Sequence, residues 1–388
     1  MTYNVFSQTD TLKHVMLGTW FTPDFFDSIK EDAIREPLKR ISHEIQEDLE
    51  NFVDILKEHS IKVMRPNQPQ GVFDLDNMIS PPICPRDTHH VFGNTCYNVG
   101  YRKYEKDVTD VLLEYDNNYK DIYKIIENHH RISMKENKHN FHENIWFSKE
   151  KYDVLKGTDW PDFQDYIRGT YTVPNDIQEE IDSFYYTLRY RDGCNSVEGP
   201  NIIITNTSVI VDHNEYTDFT TLLQNKIHMD GKEWIHINTK AGHTDGCFVF
   251  LNPSTIVGIP NLIDYKGIFG VDNVVGVPWK NYQSQLEDFK KIKQKNDGKW
   301  WVKGEESNNR FINFVNNYLS SWTGYAEETV FDVNLLCLDH KHVFVNSNNK
   351  DFHNMIKSVG VEPIHVPWRH RFFVDGGLHC ITLDIERY

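Results

Sequence analysis

The feature that most restricts how this chain can fold is a pattern that keeps returning: a short apolar run, a polar turn, and a second apolar run. It reads "HHVFGNTCYNV" from His89, "NIIITNTSVIV" from Asn201, "CFVFLNPSTIVGI" from Cys247 and "NLLCLDHKHVFVN" from Asn334. Runs of this length bounded by turn residues are strand hairpins, and Gly93-Asn94, Asn206-Thr207, Asn252-Pro253 and Asp339-His340 are suitable turn centres. A shorter run, "HVMLGTW" from His14, is half of another.

Helical patterns lie between the hairpins. Ile41, Ile45, Leu49, Phe52, Val53 and Leu56 form one apolar stripe, and Pro37 ahead of it suits a helix start. "SQLEDFKKI" opens with Ser284 and Glu287 at capping-box spacing, and Phe352, Met355, Ile356 and Val359 mark a helix that Gly360 can stop. No Pro/Gly/Ser-rich linker divides the chain, so one repeated αβ architecture over residues 1–388 is expected, although the length of 388 residues would also suit two or three domains. Radial repetition about a centre fits, because it leaves only short sheet edges to protect. Residues 101–190 break the rhythm and read as an insertion or an elaborated repeat. Its His129, His130, His139 and His142 have no nearby cysteine or tightly spaced carboxylate, and read as solvated surface rather than a metal cage.

Acidic residues outnumber basic ones by 57 to 41, giving a net charge of -16 without a polybasic block. Nucleic acid and anionic membrane surfaces are poor partners for such a chain, and a small cation is a better one. The N-terminal stretch lacks the basic and apolar regions of a secretory leader, and no apolar run reaches a membrane span, so a cytoplasmic protein is expected. Six cysteines, Cys84, Cys96, Cys194, Cys247, Cys337 and Cys380, show no CxxC spacing, which argues against a zinc knuckle or a disulfide framework.

Four stretches put chemistry at the hairpin edges: "CPRDTHHVFGN" with Asp87, "SVEGPNIII" with Glu198, "GHTDGCFVF" with His243 and Asp245, and the closing "VDGGLHCITLDIERY" with Cys380. Each has an ordinary structural explanation: a turn aspartate, a turn-opening glutamate, a His–Asp hydrogen bond, a core cysteine. Together they describe carboxylates around a thiol and a histidine, a set that suits a planar guanidinium with its bidentate donors. The guanidinium carbon would then be an electrophile beside the thiol. His243 and Asp245 are two apart and would share a face on a strand; His379, adjacent to Cys380, would face away from it, which favours His243 as the partner of Cys380.

These motifs, in this order, resemble those of the guanidino-group-modifying pentein superfamily and, within it, the arginine:glycine amidinotransferases. The resemblance covers the chain from about residue 80 onward, and is most specific in "GGLHCITLDIER". It implies an α/β fold, a five-bladed αβ-propeller of ββαβ-type units around a central site. It implies that Cys380 is the nucleophile, that His243 is the general acid/base, and that Glu198 stands where the family has an aspartate working with that histidine. Asp87 and Asp245 would hold the guanidinium of L-arginine, ornithine would leave an amidino-cysteine, and an amine acceptor such as glycine would take the amidino group. Neighbouring carboxylates disfavour a thiolate, so the bound cation and a histidinium must restore it. No cofactor or metal is implied, and a homodimer has precedent in the family.

The sequence departs from the family pattern in three places. Leu262 stands where those amidinotransferases carry an arginine for the donor's α-carboxylate, leaving Arg369 or Lys240 as candidate cations for that role, or a donor that is not an α-amino acid. Glu198 in "EGPN" is also close to the family's hydrolases, and Asp375 replaces a common glycine. A guanidine hydrolase of the same fold, or a binding protein that retains the carboxylate cage, are the alternatives.

Overall fold

The computed structural model describes residues 2–100, 104–125, 199–212, 217–227, 229, 231–237, 239, 243–259, 262–276, 296, 299–319, 322–324, 332–374 and 376–388. Among them are five three-stranded sheets. Four are built to one plan, an antiparallel hairpin followed by a helix and a third strand parallel to the second. The first runs β3 (His89–Phe92), β4 (Thr95–Asn98), α2 (Glu105–Tyr115) and β5 (Tyr119–Asp121). The second is β6 (Ile202–Ile204), β7 (Ser208–Asp212), α3 (Thr217–Lys226) and β8 (Glu233–Ile237). The third is β9 (Phe248–Asn252), β10 (Thr255–Gly258), α4 (Tyr265–Phe269) and β11 (Asn273–Gly276). The fourth, β12 (Leu336–Asp339), β13 (His342–Val345), α6 (Lys350–Ser358) and β14 (Glu362–His365), follows α5 (Asn309–Tyr318). A helix intervenes each time because a parallel third strand cannot be reached by a tight turn.

Both ends of the chain make the fifth sheet. β15 (Thr382–Arg387) pairs antiparallel with β1 (Leu12–Leu17), and α1 (Asp32–Glu58) leads to β2 (Lys62–Met64), parallel to β1. The half-hairpin from His14 therefore finds its partner at the far end of the sequence. Contacts pass from β15 to β3, from the turn before β3 to the turn before β6, on to the turn before β9, then from β9 to β12 and from β12 to β1. The five sheets close a ring, the expected αβ-propeller. β3 and β6 are buried at every position, as a strand covered on both faces must be, which explains continuous runs such as Ile202–Ile204.

The segment read as an insertion or an elaborated repeat carries, over residues 104–121, the regular α2 and β5 of the first unit; residues 126–198, with the four histidines, lie outside the described residues, as do Ser284 and Glu287. Contrary to expectation, α1 begins at Asp32, so that Pro37 sits inside it. Proline cannot donate to the carbonyl four residues back. That carbonyl, of Ala33, instead accepts from Asn308 Nδ2 at 2.8 Å, while Asn308 Oδ1 caps α5 through Phe311 N. The stripe from Ile41 to Leu56 is buried as expected, and Trp20 Nε1 donates to Ser42 Oγ on the same face at 3.0 Å.

A buried ion cluster ties the C-terminal strand into the ring. Asp384 lies 3.2 Å from Arg86 and accepts from Arg387 Nε at 3.0 Å, with all three side chains almost fully buried. Burial alone would push the Asp384 carboxyl up, but the two guanidiniums hold it well below the usual carboxylate range. Arg86 Nε also donates to the carbonyls of His379 and Thr382, and Arg387 to those of Asp10 and Cys337. Among the described residues no helix is long and apolar enough to cross a membrane.

His89 and His90, both buried in β3, make the fold sensitive to acid. Burial pushes both imidazoles down to about 3, with Arg86 adding to the effect on His90. The unfolded chain takes up these protons below about pH 6.5 while the folded chain does not, so stability falls by ~1.4 kcal/mol per pH unit for each histidine until about pH 3. Urea unfolding followed from pH 7 to 5 should show this slope, and His90→Gln should make it shallower; an unchanged slope in the variant would contradict the assignment.

Candidate active site

The first strand of every unit is entered from a lead-in segment, and these segments carry the polar residues of the site. A 3-10 turn at Pro85–Asp87 precedes β3, one at Gly199–Asn201 precedes β6, and one at Thr244–Gly246 precedes β9. Asn334 lies two residues before β12, and Cys380 two residues before β15. The turns brace one another. A Cβ on Gly199 would lie 2.0 Å from the Arg86 carbonyl, so only glycine allows the second turn to sit against the first. Asn201 Oδ1 in turn accepts from Thr244 N at 3.1 Å, and Asp212 Oδ2 from Thr244 Oγ1 at 2.8 Å, which fixes the third turn.

At the meeting point, ligand-type atoms of His243, Asp245 and Cys380 lie within 4.8 Å of one another. Asp245 Oδ2 is 3.3 Å from Cys380 Sγ and accepts from His379 Nδ1 at 2.7 Å. Asn334 Oδ1 accepts from the backbone N–H groups of His379 (2.9 Å) and Cys380 (3.0 Å), and its Nδ2 donates to Cys380 Sγ at 2.9 Å. Cys380 and Asp245 are buried and His243 is half-buried. The three groups put a thiol, an imidazole and a carboxylate within reach of one another.

Charge within the site follows from burial and pairing. Burial would push the Asp245 carboxyl up, but the hydrogen bond from His379 and its electrostatic interactions with His379, His243 and Arg86 hold it below its ordinary value. Burial, reinforced by Arg86, pushes His379 down despite its bond to Asp245. A neutral imidazole donating Nδ1–H to an ionised Asp245 satisfies both. The other thiols behave as core: burial pushes Cys337 up to about 12 and raises Cys96 further. The five described cysteines are buried and free of disulfides.

His243, Asp245 and Cys380 are thus brought together, though not by strand alternation. His243 caps the 3-10 turn Thr244–Gly246 and Asp245 lies inside it, and β15 starts only at Thr382, so His379 and Cys380 both sit in the turn before it. For that reason His379 does not face away but reaches Asp245. Asp87 lies in the first lead-in turn, its Oδ2 3.5 Å from the Tyr104 hydroxyl. Glu198, Lys240 and Asp375 lie outside the described residues. Arg369 is committed elsewhere: its Nε binds Asp48 at 2.9 Å, and its NH2 binds Glu47 and the Glu44 carbonyl, all on α1. Leu262 packs against the apolar cluster of the second, third and fourth sheets. Sequence reading missed Asn334 and Arg86. Asn334 was visible only as the first residue of a hairpin, and Arg86 only as the middle of "PRD".

The ring with its convergent lead-in turns is the pentein fold, which solved structures of low sequence identity share. SxtG, an amidinotransferase from Microseira wollei in the saxitoxin biosynthetic pathway, superposes with a TM-score of 0.57 at 16% identity, covering 99% of this chain and 97% of that one. The inosamine-phosphate amidinotransferase StrB1 of Streptomyces griseus gives 0.56 at 15% identity over the same shares. The dimethylarginine dimethylaminohydrolase of Pseudomonas aeruginosa gives 0.50 at 8% identity, covering 97% of this chain and 100% of that one. In sequence, 55 residues are 42% identical to the mitochondrial glycine amidinotransferase of Xenopus laevis, covering 14% of this chain and only 13% of that relative. No family model matches the chain.

Gly377 tests the packing of this site. A Cβ there would lie 2.6 Å from the Asn334 Cβ. Gly377→Ala should therefore lower stability by ~1–3 kcal/mol, the usual penalty for overpacking a filled interior. Equal thermal midpoints for variant and wild type would show that the contact relaxes freely.

Proposed function

We propose that the protein is an amidinotransferase that moves the amidino group of L-arginine to a small primary amine, glycine being the first candidate, through an amidino-Cys380 intermediate. The observation that carries the reading is the grouping of Cys380, His243 and Asp245 within 4.8 Å at the mouth of a pentein ring. Asp245 Oδ1 is buried without a hydrogen-bond partner among the described residues, and a guanidinium N–H would satisfy it.

In this mechanism Asp245 and Asp87 hold the guanidinium, which places its carbon near Cys380 Sγ. The thiolate forms a bond to that carbon, the bond from the carbon to the side-chain nitrogen of the donor breaks, and His243 gives that nitrogen a proton as ornithine departs. Glu198 would orient His243. The acceptor amine then attacks the amidino carbon, His243 takes up its proton, and the thiolate is released. Burial of Asp245 and Cys380 favours the step, because fixed charges act more strongly away from water. His243 is half-buried, which suits a proton carrier that must serve two amines in turn. The likeness in fold to two amidinotransferases and the short stretch resembling a glycine amidinotransferase support transfer over hydrolysis.

Incubation with L-arginine and glycine should yield ornithine and guanidinoacetate by mass spectrometry, and L-arginine alone should leave an amidino adduct on Cys380. Cys380→Ala should abolish both products, and Asp245→Asn should lower kcat/KM by a factor of ~10–1,000, the effect of losing a charged hydrogen bond to the reacting group. Citrulline and ammonia formed without any acceptor would instead assign the protein to the hydrolases. No turnover of L-arginine would direct the search to donors without an α-carboxylate, consistent with Leu262 and with an Arg369 held by α1.

A further inference from the structure

We propose that Asn334 is the positioning residue that makes Cys380 a nucleophile, stabilising its thiolate with one end of the side-chain amide and holding its backbone with the other. The inference rests on the reading of Cys380 as the attacking group.

The orientation of the amide is decided by its partners. Two backbone N–H groups, of His379 and Cys380, converge on one atom of Asn334 at 2.9 and 3.0 Å. Both are donors, so that atom must be the carbonyl oxygen, and the atom 2.9 Å from Cys380 Sγ must be the NH2 group. An NH2 group can only donate. Cys380 Sγ is therefore an acceptor on this side, a role that strengthens when the sulfur carries a negative charge. On its other side Sγ lies 3.3 Å from Asp245 Oδ2, an oxygen already accepting from His379. A thiol can donate a proton to that oxygen, whereas a thiolate is repelled by it. Asn334 thus supplies the one contact of the pair that favours the reactive form.

The surroundings keep Asn334 in this place. It is buried, and its Cβ packs against the spot where a side chain on Gly377 would be, so the diglycine before Cys380 is a seat for this amide as much as a clearing for substrate. Asn334 precedes the first strand of its unit as Asp87, the pair His243 and Asp245, and Cys380 precede theirs. The fourth unit contributes no charge at this point; it contributes a neutral donor aimed at sulfur.

The test separates holding the turn from stabilising the thiolate. In Asn334→Asp the carboxylate can still accept both backbone N–H groups but cannot donate to Sγ. Thiolate absorbance near 240 nm is titrated for the full-length wild type and for Asn334→Asp, each as the difference from its own Cys380→Ser counterpart. The midpoint for Cys380 should rise by about one pH unit or more in the variant, the size of one hydrogen bond to a charged acceptor, with the folded secondary structure retained. Asn334→Ala, read the same way, guards against a variant that fails to fold, and should also raise the midpoint. Midpoints equal to wild type in a folded variant would overturn the proposal. This readout needs no substrate, so it is independent of the arginine assay, whose failure would overturn the amidinotransferase reading while leaving the role of Asn334 standing or falling by the titration.

Discussion

A buried guanidinium organises this molecule. Arg86 comes from the turn before the first complete unit, yet it holds two carbonyls of the last turn, those of His379 and Thr382, and pairs with Asp384 in the last strand. Charges buried this deeply are costly unless paired, and removing one partner of such a pair typically costs ~3–5 kcal/mol. The cluster of Arg86, Asp384 and Arg387 therefore specifies geometry more than it adds stability. It joins residues about three hundred positions apart in sequence and sets the height at which Cys380 leaves the turn for β15.

Ring closure explains why the site is built from so many distant pieces. Each unit enters its first strand from a short turn, and these turns brace one another through Gly199 against Arg86 and Asn201 against Thr244. A side chain at such a turn is presented toward its neighbours while the strand that follows it anchors the backbone. Five equivalent places around one centre allow carboxylate, imidazole, amide and thiol to meet without any of them being near another in the chain, apart from His243 with Asp245 and His379 with Cys380. The sheet that closes the ring is shared by β1 and β15, so Cys380 is delivered from the turn just ahead of the strand whose pairing with β1 completes the architecture.

Residues whose chemistry is conspicuous were legible in the sequence: a cysteine behind two glycines, an HTD triplet, a PRD triplet. The hairpins were legible as well, because apolar runs interrupted by turn residues carry their signal locally. Asn334 was not, since an asparagine ahead of a strand has the same local appearance as any turn residue, and its value arises from a sulfur 46 positions away. Pro37 misled for a related reason. A proline normally marks a helix start, but here the carbonyl it leaves unbonded is satisfied by Asn308, a partner far along the chain. His379 was assigned to the wrong face because strand alternation was applied to residues that form a turn. Arg369, a free cation on paper, is held by three residues of α1.

The sequence by itself determined the repeated hairpin-and-helix plan, the burial of its apolar runs, and the kinds of reactive group available, because periodicity and residue chemistry act over a few positions. Tertiary structure decided which of those groups meet. Only the closed ring sets Asp245 between His379 and Cys380, turns the Asn334 amide toward sulfur, and leaves Cys337 and Cys96 as inert core. Hydrogen bonds of about 3 Å between residues many tens of positions apart depend on the sum of all intervening packing, and no local pattern encodes that sum.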